Sequence, residues 1–365
     1  MIERVIVTGG AGFVGSAVVR FLLTDTACRV LNLDKLTYAA NQVSVDAMQR
    51  MPRYTFVHGD INDRSLLRRL YAEFNPDLIL HLAAESHVDR SIDELAAFVT
   101  TNVLGTFSQL DEAPQYWQGL TEGERDSFRF CHVSTDEVFG ALGPTGVFDE
   151  TSRYDPSSPY AASKAGSDHL ARAWHRTYGL PVVLSNCCNN YGPYQFPEKL
   201  IPLVILKALH GEQIPVYGRG ENVRDWLYVD DHARALWAIA NAGHVGDTYM
   251  VGCRSERRNI DVVTTITRIL DEMLPSNEGP RERLIQFVPD RPGHDFRYAT
   301  CPDKITNTLG WQPRENFESG LRKTIEWYLQ HRQWWELIWN GRYKGERFGL
   351  LNSSSLPRSL RAEAG

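Results

Sequence analysis

The chain reads as an α/β protein built on a doubly wound parallel sheet, and three observations predict this. Short β-branched runs alternate with longer helical patterns, a glycine-rich turn joins the first run to the first helix, and polar residues gather where the runs end. Residues 4–8, 29–33, 54–58, 77–83, 128–134 and 181–187 have strand character, with helical patterns between them. Parallel neighbours need such crossover connections, so both faces of the sheet should be covered by helices. After Asn189 the pattern shifts to Pro193, Pro197, Pro202 and Pro215 with shorter elements, which predicts a smaller C-terminal lobe over the carboxyl edge of the sheet. Helical periodicity returns at 230–242, 260–274 and 317–331, and a strand at 247–251 is expected to rejoin the first sheet.

At 365 residues, 42% hydrophobic and 23% charged, the chain can bury a large core. A length of ~100–200 residues per domain allows about two domains. The formal net charge of −6 argues against a nucleic-acid surface. The six cysteines show no CxxC spacing, and the adjacent pair Cys187-Cys188 is not expected to bridge, so a reduced, cytoplasmic setting without a metal site is expected. The first apolar run is too short for a signal sequence, and no stretch of 18 uninterrupted apolar residues occurs, so neither secretion nor a membrane span is expected. Residues 351–365, rich in Ser and Arg, are expected to form a disordered tail.

Gly9, Gly12 and Gly15 follow the first strand directly and open a helix, with Phe13 and Val14 between the last two. Gly9 can make the tight turn, Gly12 can admit a pyrophosphate to the backbone, and Gly15 can let helix and strand pack closely, with the helix N-terminus facing phosphate charge. The spacing is one residue longer than the usual fingerprint between its first two glycines. Asp34 ends the second strand nineteen residues past Gly15, where a carboxylate accepts ribose hydroxyls and repels a 2′-phosphate, so NAD is expected rather than NADP, with Lys35 weakening that preference. Asp60 and Ile61 after the third strand can hold the adenine edge, and Leu82, Ala83 and Ala84 after the fourth can floor the cofactor. Residues 1–189 thus read as a Rossmann-like NAD-binding domain, with a segment near 225–252 returning to it, and residues 190–335 as mainly a substrate-binding lobe.

Thr135, Asp136 and Glu137 close the fifth strand at the edge where open α/β sheets bind ligand. Consecutive strand residues point to opposite faces, so both carboxylates can share a pocket only if the chain leaves extended geometry there. Helix capping is the competing explanation of the pair. Tyr160 and Lys164 lie four apart on one face of a helix spanning 159–178, where the ammonium can lower the phenol's pKa. A base that oxidises an alcohol and two carboxylates that eliminate water would together perform redox chemistry and dehydration.

The segments TGGAGFVGS (8–16), LDKLTYA (33–39), HLAAESHVDRSI (81–92), STDEVFG (134–140), SPYAASKAGSDHL (158–170), NNYGPYQFPEKLIP (189–202), VRDWLYVDDHARAL (223–236) and DRPGHDFRY (290–298) occur in this order. Through them the chain resembles the extended short-chain dehydrogenase/reductases, and within that family the nucleotide-sugar 4,6-dehydratases, over about residues 2–335. The resemblance implies that Tyr160, helped by Lys164, removes the 4-hydroxyl proton of a nucleotide-linked glucose, dTDP-glucose in particular, while NAD takes the C4 hydride and Thr135 bonds the same oxygen. Glu137 would then abstract the C5 proton, Asp136, kept protonated, would protonate the leaving 6-hydroxyl, and hydride would return to C6. It further implies Leu36, Thr37, Ser86, Thr101 and Asn190 at the cofactor. At the substrate it implies Ser86, Thr135, Asn189, Lys199, Leu200, Pro215, Val216, Tyr217, Arg224, Asn259, Asp290, Arg291 and His294, and as assembly a homodimer. Arg224 and Asp225 read alone could instead be a surface ion pair. Phe139 departs from the tyrosine common in relatives.

A nucleotide-sugar 4-epimerase would share the fold, the tyrosine and lysine, and the bound NAD, but does not need an acid/base pair, so Asp136 discriminates. A non-catalytic nucleotide-sugar binding protein would lack one of the five active residues. The helices expected at 93–113 and 159–178 carry apolar residues on more than one face, which fits a dimer interface.

Overall fold

The computed structural model describes residues 2–290 and 293–341, so Arg291 and the expected tail lie outside the described residues. Twelve strands occur among the described residues: β1 (Arg4–Thr8), β2 (Arg29–Asp34), β3 (Tyr54–His58), β4 (Leu78–His81), β5 (Arg129–Thr135), β6 (Val182–Cys187), β7 (Asn189–Tyr191), β8 (Ile214–Tyr217), β9 (Val223–Tyr228), β10 (Thr248–Val251), β11 (Glu256–Arg258) and β12 (Ile285–Val288). Seven form one sheet in the order β3-β2-β1-β4-β5-β6-β10, and every pairing in it is parallel. The order reverses between β1 and β4, so the connections leave in opposite directions there and open a crevice above the strand ends.

Alternation along the strands feeds two cores. Val5, Val7, Leu78 and Leu80 pack in one layer with Val18 and Leu22 of the Phe13–Asp25 helix and Leu236 of the Val229–Ala242 helix. Ile6, Leu31, Leu33 and Ile79 face the other way, onto Leu67, Leu110 and Ala171. This period of two, with both faces apolar, is the mark of a sheet sandwiched between helices.

The single helix expected over 93–113 is broken in the structure. Val88–Asp93 and Leu95–Phe98 are separate short helices, Val99–Gly105 is a π-helix, and Thr106–Gln118 is regular. Glu94 leaves helical geometry at φ −126°, ψ 47°. In the π-helix, buried Asn102 is held by paired bonds with the Glu85 backbone, accepting from its N–H at 2.9 Å and donating to its carbonyl at 3.0 Å, and it also donates to Ser163 Oγ at 2.8 Å. Hydrophobic periodicity carries no signal for one widened turn, and such turns cluster at functional sites.

A third core lies outside the sheet. Tyr191, Ile205, Trp226, Val263, Leu321, Tyr328 and Trp335 cluster beneath the sheet β11-β9-β7 and the pair β12-β8. The last described helix, Arg332–Gly341, belongs to this core: Trp335 is fully buried and donates through Nε1 to the Tyr328 carbonyl at 2.8 Å. Its neighbour Trp334 donates to Ser44 Oγ at 3.1 Å and accepts from Asn41 Nδ2 at 3.4 Å, which ties this core to the segment after β2. No helix among the described residues is long and apolar enough to cross a membrane.

Trp335→Ala should cost about 3–5 kcal/mol in denaturant unfolding, because a fully buried indole and its hydrogen bond are lost together. A loss under about 1 kcal/mol would mean that the last helix contributes little to this core.

Candidate functional site

The glycine turn is shaped by close backbone approach. Gly9 has φ 76°, and a Cβ there would lie 2.7 Å from the Ala83 backbone. At Gly15 a Cβ would run into the Gly9 carbonyl oxygen. At Gly12 it would meet only that oxygen, at 3.3 Å, so packing does not demand glycine there and the bare backbone serves approach from the cleft. Asp34 Oδ2 accepts from the Ala11 N–H at 2.9 Å and Oδ1 from the Leu36 N–H at 2.8 Å, with Leu36 at φ 54°. Burial raises the Asp34 pKa, partly offset by those two bonds. Lys35 is turned to Asp60, 3.3 Å away.

A cleft of about 300 Å³ runs from this turn across the sheet edge. Of the expected cofactor residues, Gly9, Gly12, Phe13, Val14, Gly15, Asp34, Lys35, Thr37, Ile61, Leu82, Ala83, Ala84, Ser86, Thr101 and Asn190 line it, and so do Thr135, Asp136, Glu137, Tyr160, Lys164, Asn189 and Lys199. Leu36 and Asp60 stand behind the lining as neighbours of Asp34 and Lys35.

The remaining expected substrate residues sit on the elements of the third core, beyond this cleft. Leu200 starts a helix, Pro215, Val216 and Tyr217 belong to β8, and Asn259 starts another helix. The Val216 side chain is buried in the core. Tyr217 donates to Asp89 at 3.1 Å and stands edge-on to His294, which pairs with Asp290 at 2.6 Å. Lys199 Nζ donates to the Ser86 carbonyl at 2.7 Å, so both groups of residues are joined at the cleft mouth. Arg224 and Asp225 are not a surface ion pair: both are buried, Arg224 donates to the carbonyls of Val223 and Asp295, and Asp225 accepts from Thr300 at 2.6 Å.

The chain leaves extended geometry right after Thr135, as a shared pocket requires. Asp136–Phe139 is one 3₁₀ turn, and Thr135 Oγ1 caps it by accepting from the Glu137 N–H at 3.2 Å. Capping therefore falls to the threonine, and both carboxylates reach the cleft. Asp136 is 1% exposed, and its Oδ2 has no hydrogen-bond partner among the described residues. Burial first, then the Glu137 carboxylate, raises its pKa well above the usual range, which favours its neutral form. Phe139 is buried, stacked on Phe148 and edge-on to Tyr154.

Tyr160 and Lys164 lie on the Pro159–Tyr178 helix, capped by Ser158 with proline in its first turn. The expected lowering of the Tyr160 pKa by Lys164 is not what the structure shows. Burial and the Glu137 carboxylate push the phenol well up, and the group that draws it down is the Thr135 hydroxyl. Lys164 points to the β5 backbone, donating to the Val133 carbonyl at 2.9 Å, and burial lowers its pKa.

Three acidic residues escaped the sequence reading, the first being Glu85, which lines the cleft with its pKa raised by burial. Glu198 lines the cleft, accepting from Tyr38 at 3.1 Å and Arg90 at 3.2 Å, and burial raises its pKa. Asp168 lies fully buried one turn beyond Lys164. Its i+4 spacing from Lys164 was a usable signal; Glu198, in an irregular loop, offered none.

Buried oxygens of Asp136, Asn189, Asn190 and Gln195 have no partner among the described residues, and all four residues line the cleft. Buried polar groups are normally paired, so the lining suits a polar ligand, and the glycine turn at a helix start with Asp34 beyond it fits a dinucleotide. Fold and cleft thus define a dinucleotide-binding α/β protein with a tyrosine–lysine helix at the crevice. The chain belongs to the family described as GDP-mannose 4,6 dehydratase, whose model matches residues 6–324. A probable dTDP-glucose 4,6-dehydratase of Sinorhizobium fredii is 56% identical over 96% of this chain and 100% of its own length, and a dTDP-glucose 4,6-dehydratase of Escherichia coli is 54% identical over 95% and 99%. The crystal structure of a dTDP-glucose 4,6-dehydratase from Streptomyces venezuelae, with NAD and dTDP bound, superposes with TM-score 0.83 at 44% identity over 92% of this chain and 100% of that one.

Because Asp136 has a raised pKa in the folded state, the native protein binds more protons than the unfolded chain above the ordinary carboxylate range, and this group's contribution to stability falls as pH rises. Asp136→Asn should therefore melt higher than the parent at pH 7–8, with the gain vanishing toward about pH 4. Melting curves across that range check it, and a variant less stable than the parent at pH 8 would contradict a protonated Asp136.

Proposed function

We propose that this chain catalyses the 4,6-dehydration of dTDP-glucose to the 4-keto-6-deoxy sugar, with NAD bound throughout the cycle. The observation that carries the reading is the turn after β5, which brings Asp136, its neutral form favoured by burial, and Glu137 to one cleft beside Thr135 and Tyr160. When bound, NAD supplies the hydride acceptor for C4 and the hydride donor for C6. Gly9, Gly12 and Gly15 hold its pyrophosphate at the helix N-terminus, and Asp34 accepts its ribose hydroxyls.

Tyr160 takes the 4-hydroxyl proton, its phenolate favoured by the bond from the Thr135 hydroxyl, and Thr135 also bonds the 4-oxygen. The C4 ketone acidifies the C5 proton, which Glu137 removes. Asp136 gives its proton to the 6-hydroxyl, which leaves as water, and Glu137 returns its proton to C5 as C6 is reduced. One carboxyl with its proton and one without divide the two halves of the elimination between them. Ser86, Asn189 and Lys199 meet the sugar and diphosphate at the cleft mouth. Leu200, Pro215, Val216, Tyr217, Arg224, Asn259, Asp290, Arg291 and His294 hold the nucleotide.

Leu95, Val99 and Leu104 are apolar yet 50%, 42% and 50% exposed on the broken helix beside the Pro159–Tyr178 helix. This apolar stripe supports a homodimer built across these helices. Six free cysteines support a reducing, cytoplasmic setting.

Purified protein given dTDP-glucose without added cofactor should form a product with the alkali-sensitive absorbance of a 4-keto sugar and a C6 methyl group. Tyr160→Phe should lower kcat about 10²–10⁴-fold, and Glu137→Gln should still oxidise C4 but stall before water is lost. A product inverted at C4 with its 6-hydroxyl retained would mark a 4-epimerase and overturn the proposal.

A further inference from the structure

Asp168 takes no part in the chemistry above, yet it is a carboxyl buried at the centre of the protein. Four donors converge on it from three elements or loops. His132 Nε2 and Ser134 Oγ come from β5 at 3.0 and 2.8 Å, Asn186 Nδ2 comes from β6 at 3.3 Å, and the Tyr154 hydroxyl comes from the loop before the helix at 2.8 Å. On its own helix the charged neighbours are Lys164 one turn back and Arg172 one turn on, the latter donating to Tyr154 at 2.8 Å. Burial opposes ionisation of Asp168, but the His132 bond, the Lys164 charge and the Ser134 bond outweigh it and hold the group below the usual carboxylate range. His132 is held neutral by its own burial, so its Nε2–H donates.

The same residues grip the end of β5. Asn186 Nδ2 also donates to the Thr135 carbonyl at 2.9 Å, Ser134 is bonded to Asp168 itself, and Lys164 holds the Val133 carbonyl. Three consecutive residues leading into the Asp136–Phe139 turn are thus tied to the Lys164–Asp168 face of one helix. Lys164 is lowered by burial, and Asp168 is the charge that favours its protonated form.

We infer that Asp168 is a positioning residue for the reaction: its carboxylate supplies the countercharge of the buried Lys164 ammonium and clamps the end of β5 so that Thr135 and the two following carboxylates face Tyr160. The inference about turnover rests on the proposed function. The Lys164–Asp168 coupling does not, because it acts on folding as well.

The test uses the holoenzyme and the variants D168N, D168E, K164M and K164M/D168N. In thermal melting, D168N and K164M should each lower Tm, and the double variant should fall by less than the sum, since removing both charges leaves neither buried alone. If D168N does not fold, recovery of folding in the double variant supports the pairing and no recovery overturns it. In turnover of dTDP-glucose against pH, D168N should lose about tenfold or more in kcat with KM little changed, and its alkaline limit should move down by about one pH unit as Lys164 loses its proton earlier. D168E should recover part of both. Additive melting losses, or an alkaline limit that stays in place while kcat falls, would overturn the inference. A parent enzyme that leaves dTDP-glucose unchanged would defeat the proposed function instead, while the melting cycle still decides the coupling.

Discussion

Two carboxylates on consecutive residues can face one cavity only where a strand stops being a strand. The rest of the site follows from how this chain stops β5: Thr135 keeps its backbone in the sheet while its hydroxyl caps the next turn, and Asp136 and Glu137 rotate into the cleft within a single 3₁₀ turn. Had the strand continued, one acid would have faced each side of the sheet and no shared acid/base step would be available. The parallel sheet makes such a stop natural, because every strand ends at the same edge.

That edge is also where burial decides charge. Asp136 and Asp168 are the same residue type, both fully removed from water, and they are driven in opposite directions. Asp136 meets a second carboxylate and leaves one oxygen without a partner, so its neutral form is favoured. Asp168 meets four donors and the field of a buried ammonium, so its ionised form survives. The difference lies in the neighbours, which is why one aspartate is driven toward its neutral form and the other toward its ionised form within a single fold.

The cleft has walls of different origin. One is the sheet edge with its glycine turn, made by close contact of backbone with backbone at Gly9 and Gly15. The other rests on a separate core rich in tryptophan and tyrosine, and bonds from Trp334 to Ser44, Tyr38 to Glu198 and Lys199 to Ser86 hold the two together. A ligand that fills the cleft touches both, so its binding is coupled to how these cores sit against each other.

By itself the amino-acid sequence determined the doubly wound architecture, the glycine turn with Asp34, and the placing of Tyr160 and Lys164 one turn apart on a helix. Each of these is a local period or spacing that backbone geometry turns directly into structure. The tertiary structure alone decided the break at Glu94 and the π-helix after it, the burial of Arg224 and Asp225, and the place of Trp335 in the third core. It also decided the direction of every pKa shift in the cleft: Lys164, one turn from Tyr160, bonds to the Val133 carbonyl, and the phenol is governed by burial, Glu137 and Thr135. Spacing along a helix says which side chains share a face. What they meet there depends on strands that are distant in sequence, and desolvation is set by the whole fold.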